Sequence, residues 1–437
     1  MIHLRFRARQ LVYDLGSGLL FRPVVVVIGI ASLALIASAG VRGWSGTVWT
    51  SPGEPGAAQL VLGTIASSMM TVVSVVYSIL LVALSLASMQ FSTRVLRQLV
   101  RDPVSQVTLG IFVGTFLYCL LVLRVVQTAP EPFVPSYAVG GGIVLALVAM
   151  GQLVYFIHHI VHFIQANFLV DQIARETEAV IDEVLPATPP ENGAALPDGW
   201  IALPRHPVSS DRSGYVQILD ADALAGVARA LGGVAVVRVA VGHFATEDLP
   251  LVELHSERAP TAEQVATLRD AFDVGPIRTM QDDAEWGLRQ IVDIALKAIS
   301  PAVNDPSTAA TCIDHLGRLL VRASRRHIPR PFRGVGPDGL ARVVFRETSL
   351  AAMIDLAFNQ IRQYGRADMA VALRLMRVLG HLAGVGTDER ARARIALHAR
   401  LVRAAAEAAH PDEDCEALRA RHAVVTQHLE SAAAPAA

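Results

Sequence analysis

Four long stretches in the first 170 residues contain no Asp, Glu, Lys or Arg. They span 19 residues between Arg22 and Arg42, 39 between Glu54 and Arg94, 21 between Asp102 and Arg124, and 39 between Glu131 and Asp171. An α-helix rises ~1.5 Å per residue, so ~20 apolar residues cross ~30 Å of hydrocarbon. The pattern therefore predicts transmembrane helices near 19–41, 61–90, 106–127 and 134–164. The two longer stretches open with Pro/Gly-rich loops, and the helices that follow are long enough to project beyond the bilayer. After residue 170 the pattern changes. Residues 171–212 read as a helix extension and a Pro-, Gly- and Ser-rich linker, and 213–256 as a small β-rich unit. Residues 257–437 read as mainly helical, with amphipathic, Ala-rich segments suited to a bundle. The fold class expected is a polytopic α-helical membrane domain of four transmembrane helices plus a cytoplasmic α+β domain.

Composition agrees with a membrane protein. Charged residues are 18% and mean hydropathy is +0.42 over 437 residues, against about 25% charge in an ordinary soluble domain. The net charge of −1 gives no broad basic field for nucleic acid. Cys119, Cys312 and Cys415 are far apart and form no CxxC, so neither a disulfide framework nor a zinc cluster is signalled. Arginine placement sets orientation. Arg5, Arg7 and Arg9 precede the first span, Arg94, Arg97 and Arg101 follow the second, and Arg175 follows the fourth. The opposite loops hold only Arg42 and Arg124, so both termini are expected in the cytoplasm. A signal-peptidase reading of Ala37-Ser38-Ala39 is disfavoured, because the apolar stretch is long and cleavage would upset the charge rule.

Three groups of residues could carry function. On the second helix Thr64, Thr71, Ser78, Ser85 and Ser92 recur every seven residues, and Ser67, Ser74 and Ser88 keep to the same side. Such a stripe either lets helices pack closely or lines a hydrated path. The second group is interfacial: Arg124, and the imidazoles His158, His159 and His162 at the end of the fourth helix. With no third ligand nearby they read as an interfacial belt with a possible pH-sensing role rather than a metal pair. The third is a polar cluster of Arg278, Asp282, Arg289, Asp293, Asn304 and Asp305. It reads first as caps and ion pairs, with Asp305-Pro306 opening a helix, and second as a metal- or anion-binding set. Gly110-x-x-x-Gly114 on the third helix is a close-packing signal.

No GxSxG, Walker, HExxH or GxGxxG motif occurs, so no enzyme activity, metal or cofactor is expected. Several stretches together have a family likeness: Leu62–Met69, Leu81–Ser92, Gly110–Phe116, Tyr155–His159, Ser213–Gln217 and Ile291–Pro306, the last ending in Ser300-Pro-x-x-Asn304-Asp305-Pro306. They resemble the predicted bacterial membrane proteins of domain-of-unknown-function family 2254, over roughly residues 5–430. The resemblance implies a bacterial plasma-membrane protein and supplies no site residues. Val241–Leu251 departs from the family pattern, which puts any shared turn chemistry around His243 in doubt. No predicted span contains a carboxylate, which argues against proton- or sodium-coupled transport. The function expected is an oligomeric channel or passive transporter for a small ion, anion-leaning, or a solute, gated or assembled by the cytoplasmic domain. The alternative is a non-conducting sensor or scaffold whose cytoplasmic domain binds a ligand or partner. A metal enzyme using Asp282, Asp293 and Asp305 ranks last. The partners expected are the bilayer, further copies of the chain and a small ion or solute.

Overall fold

The computed structural model describes residues 21–43, 54–90, 102–126, 134–163, 165–188, 195–328, 332–333, 339–345, 348–385 and 387–433. The chain divides into two units, Met1–Phe168 and Leu169–Ala437.

The first unit is helical. It comprises α1 (Phe21–Gly43), α2 (Pro55–Gln90), α3 (Pro103–Leu123) and α4 (Ser136–Phe163). Three of these helices are long and apolar enough to cross a membrane, and α1 offers a shorter apolar stretch, Phe21–Ala37. The second helix begins at Pro55, six residues before the expected start, because Glu54 ends the uncharged run and its carbonyl accepts the amides of Ala57 and Ala58. The outward surface is apolar: Leu60, Leu81, Leu147, Met150 and Val154 are each more than 60% exposed. Water would penalise that arrangement and a bilayer favours it.

Small residues set the helix contacts. A Cβ on Gly110 would lie 2.9 Å from Val26 Cβ, and one on Gly114 would lie 2.7 Å from Ile30 Cδ1. The Gly110-x-x-x-Gly114 face is thus where α1 docks on α3. Tyr118, fully buried, donates to Ala138 O at 2.9 Å and joins α3 to α4.

The second unit is mixed α/β. It holds most of α5 (Ala166–Val184), then β1 (Arg205–Ser209), β2 (Gly214–Leu219), α6 (Ala221–Ala230), β3 (Val234–Val237), β4 (Phe244–Ala245), β5 (Pro250–His255), α7 (Ala262–Asp270) and β6 (Phe272–Gly275). There follow α8 (Ala284–Ala298), α9 (Pro306–Ser324), β7 (Phe332–Arg333), β8 (Val343–Val344), α10 (Leu350–Tyr364), α11 (Met369–Gly384), α12 (Glu389–Ala409) and α13 (Glu416–Ala433). The strands form a five-stranded sheet, β1-β5-β3-β8-β7, and a three-stranded sheet, β4-β2-β6.

The β structure reaches beyond residues 213–256. Arg205–Ser209, inside the stretch read as linker, is an edge strand paired antiparallel with β5. Its Pro207 explains both facts, since proline reads as a loop residue and sits in a sheet only at an edge. At the other side, β8 pairs parallel with β3 from more than 100 residues away, Ala235 opposite Val343. Val216, Leu224, Val252, Leu254, Leu268 and Val343 form the apolar core of this region.

Each helix from α6 to α12 starts on a side-chain cap. The caps are Asp220, Thr261, Asp283, Asp305, Ser349, Asp368 and Asp388, whose oxygens accept amides of the first turn. His398 on α12 is 1% exposed and bonds Asp355 Oδ1 on α10 at 2.9 Å, while Arg394 holds the same carboxylate. Burial pushes His398 below its ordinary value against the opposing pull of Asp355. Burial lowers His255 and His315 in the same direction.

Two predictions follow from these contacts. Gly114→Val forces a side chain into Ile30 and costs about 1–3 kcal/mol, read as a lower unfolding midpoint in detergent. Gly151→Ala, where a Cβ meets nothing within 4 Å, is the neutral control. For His398, the unfolded chain binds a proton at higher pH than the folded one. Its contribution is complete above the unfolded value of about 6.5 and is lost progressively as pH falls from there through the lower folded value. The unfolding midpoint therefore falls between about pH 7.5 and about pH 5.5, and the fall is smaller in His398→Gln.

Candidate functional site

The hydroxyl stripe lies on the open side of α2. Its packed side is apolar: Ala58, Leu62, Ala66, Met69, Val76 and Ala83 are buried. Thr64, Ser67, Thr71, Ser74, Ser78 and Ser85 are all exposed in the protomer. Ser92 and the side chain of Ser88 lie outside the described residues. Thr64 donates to Leu60 O at 2.7 Å, Ser67 to Thr64 O at 3.0 Å, Thr71 to Ser67 O at 3.2 Å, Ser74 to Met70 O at 3.1 Å and Ser78 to Ser74 O at 2.9 Å. These five donors are thus used within the helix, and their oxygens keep lone pairs free to accept.

Among the interfacial residues, Arg124 is the exposed C-cap of α3. His158 is exposed, and the side chain of His162 lies outside the described residues. His159 differs from its neighbours. Its Nε2 lies 3.0 Å from Asp102 Oδ1, and Asp102 is only 4% exposed. The other carboxylate oxygen accepts Ser105 N at 2.8 Å and Ser105 Oγ at 2.6 Å, so Asp102 caps α3. Next to it, Gln152 donates to Thr108 Oγ1 at 2.8 Å. A polar network thus joins the start of α3 to α4. The sequence separates Asp102 from His159 by 57 positions, and no local spacing signals the pair.

The cluster of Arg278, Asp282, Arg289, Asp293, Asn304 and Asp305 resolves into local structural roles. Arg278 grips Asp283 through two bonds of 2.6 and 2.9 Å and lies 5.1 Å over the Trp286 ring. Asp283, the buried partner, also caps α8. Asp282 and Asn304 take left-handed backbone at turns, with φ of 56° and 50°. Arg289 pairs with Asp293 one helical turn on. Asp305 caps α9 through Thr308, whose two bonds hold its carboxyl below the usual range. Among the described residues no group of three or more His, Cys, Asp or Glu could hold a metal ion. The turn around His243 serves the same pair: a Cβ on Gly242, which has φ 82°, would overlap Asp283 and Arg278.

A cleft of about 570 Å³ in the second unit was not among the sequence candidates. Arg318 and Arg322 of α9 line it, with Arg325 and Arg326 just past the helix end, and Arg374, Arg377 and His381 of α11 face them. The signal was available in the spacing: positions i, i+4, i+7 and i+8 on one helix and i, i+3 and i+7 on the other each make one face. The helices approach closely here, since a Cβ on Gly317 would lie 2.5 Å from Val378 Cγ1. Helix α5 supplies counter-charge. Glu178 lies 3.7 Å from Arg318 and 3.3 Å from Arg322. Asp182 takes Arg322 and Arg326, and Arg322 holds its carboxyl below the usual range. Arg374 pairs with Asp314 at 2.6 Å. No carboxylate is within ion-pair distance of Arg325 or Arg377 among the described residues.

A family model described as a predicted membrane protein, domain-of-unknown-function family 2254, matches residues 17–381. Two uncharacterized proteins, one of Mycobacterium bovis and one of Mycobacterium tuberculosis, are each 31% identical to the chain over 404 residues, covering 90% of it and 77% of the relative. No solved structure matches.

Asp283→Ala strands the Arg278 guanidinium and uncaps α8. It is expected to cost about 3–5 kcal/mol, the usual loss when one partner of a buried pair is removed, read by chemical unfolding of the purified protein.

Proposed function

The chain belongs to the family of predicted membrane proteins numbered 2254 among domains of unknown function, and on that footing we propose that several copies of it assemble into a passive path for a small ion or solute. In this reading the protein is a multi-pass component of the bacterial inner membrane, with α1 as a fourth span beside α2, α3 and α4. Both termini are cytoplasmic in this reading, which the arginine asymmetry supports. It is not an enzyme.

The observation that carries the proposal is the exposure of the α2 hydroxyls, opposite the apolar side that packs against the other described helices. Close packing inside one chain is the role of the opposite, apolar side. A row of hydroxyls on an open membrane face gains most where it meets water or another polar row. Four helices rarely enclose a pore alone, so the path belongs to a symmetric assembly. With the donors spent on backbone carbonyls, the face offers acceptor oxygens. This suits water, a neutral solute or a cation better than a bare anion, and it removes the hydroxyl part of the expected anion preference.

The second reading is a membrane-anchored sensor, and the arginine cleft of the second unit favours it. Flux through liposomes separates the two. Wild-type protein should release a trapped small solute or ion, and Ser78→Leu should abolish release while leaving the protein folded. The cysteines, Cys119, Cys312 and Cys415, are all buried. A Ser78→Cys variant should therefore form a selective cross-link between copies. No release from wild type, together with no cross-link, would reject the path and leave the sensor.

A further inference from the structure

We infer that the cleft between α9 and α11 is a binding site for a compact ligand carrying two or more phosphate groups. This goes beyond the proposed path and holds whether or not the spans conduct.

The argument starts from the imbalance of charge. Six guanidiniums, those of Arg318, Arg322, Arg325, Arg326, Arg374 and Arg377, line one cleft. Like charges this close repel, and folding tolerates them only with compensation. Four are compensated by the chain: Glu178 and Asp182 hold Arg318, Arg322 and Arg326, and Asp314 holds Arg374. Structural ion pairing therefore explains those four. It leaves Arg325 and Arg377, one from each wall, exposed and, among the described residues, without a carboxylate in ion-pair distance. If the arginines served only to tie α5 to α9, neither would be needed.

The chemistry of the walls narrows the ligand. Guanidinium is a planar fork of donors that matches phosphate oxygens two at a time, and it cannot lose its charge near neutral pH. Two unspent forks, one just past the end of α9 and one on α11, suit an anion that presents oxygens in two directions. The volume of about 570 Å³ is that of a small-molecule site. The apolar lining is confined to Gly317, Val321 and Val378, and among the described residues no Phe, Tyr or Trp lines the cleft, its one aromatic ring being the His381 imidazole. Recognition therefore rests on the phosphates themselves. Paired phosphates occur both on soluble metabolites and on lipid headgroups, and the cleft chemistry is the same for either.

The test uses the full-length protein in neutral detergent at low salt, titrated calorimetrically with inorganic triphosphate. One site per chain is expected. Arg325→Gln and Arg377→Gln should each weaken binding about tenfold, the usual size of one lost charge-assisted contact. The double variant should lose about a hundredfold or more. These substitutions leave no carboxylate stranded, whereas removal of Arg322 would expose Asp182 and confuse folding with binding. Arg258→Gln, at an exposed position outside the cleft, should bind as wild type does. Cardiolipin, which displays two phosphates, identifies the source: competition with triphosphate marks a headgroup site, and lack of competition marks a soluble ligand. Absence of triphosphate binding to wild type, or undiminished binding in the double variant, overturns the inference.

Discussion

A polar group that enters a water-free environment must find its hydrogen-bond partner inside the protein. Most of the described polar side chains of the first unit follow this constraint. Thr64 through Ser78 give their protons to their own helix. Tyr118 finds the Ala138 carbonyl, and Gln152 finds Thr108. The start of α3 would leave free amides at the edge of the apolar layer, and Asp102 takes up one of them while also holding His159. Thr115 Oγ1, buried without a partner, departs from the rule at a cost of about 1–3 kcal/mol. With the α2 hydroxyls committed locally and a few bonds crossing between α3 and α4, the α1–α3 contact falls to shape. That is why two glycines on α3 matter more than any hydrophobic residue there.

In the second unit water is present and the governing balance is between carboxylates and arginines. Asp residues do two kinds of work. Asp220, Asp283, Asp305, Asp368 and Asp388 start helices, and Asp182, Asp314 and Asp355 hold arginines between helices. Asp283 does both, and this explains its burial beneath the Gly242 turn. A polar cluster that looks catalytic in sequence thus becomes scaffolding, because Asp283, Asp293 and Asp305 already have an amide or a guanidinium.

The legible part of the fold is what local pattern encodes. The spans stand out because a single charge in an apolar run is costly, and Asp305-Pro306 marks the start of α9 because both residues suit that position. The same device, Asp102-Pro103 followed by a hydroxyl at the third helical position, opens α3. There it reads as a loop between spans. What local pattern cannot encode is pairing at a distance. The edge strand β1 hides behind Pro207, and β8 is two residues long and gains its identity from β3. The Asp102–His159 contact joins two helices whose registers the sequence does not relate. The cleft falls between these cases. Its arginine spacing is legible on each helix, but the approach of the two faces depends on Gly317 meeting Val378.

These two balances divide the chemistry left over for function. Along α2 the donors are spent and acceptors remain, so that face has little to offer an anion. In the cleft the opposite holds: Arg325 and Arg377 are donors with no carboxylate in ion-pair distance among the described residues. If the α2 face lines a path and the cleft binds phosphates, anion recognition belongs to the cleft, because selectivity follows the groups that remain unsatisfied after folding. A membrane face of lone pairs and a separate cleft of free guanidiniums cannot recognise the same species. If the protein both conducts and binds, the conducted species and the bound ligand are chemically distinct, and the bound one is a regulator rather than a cargo.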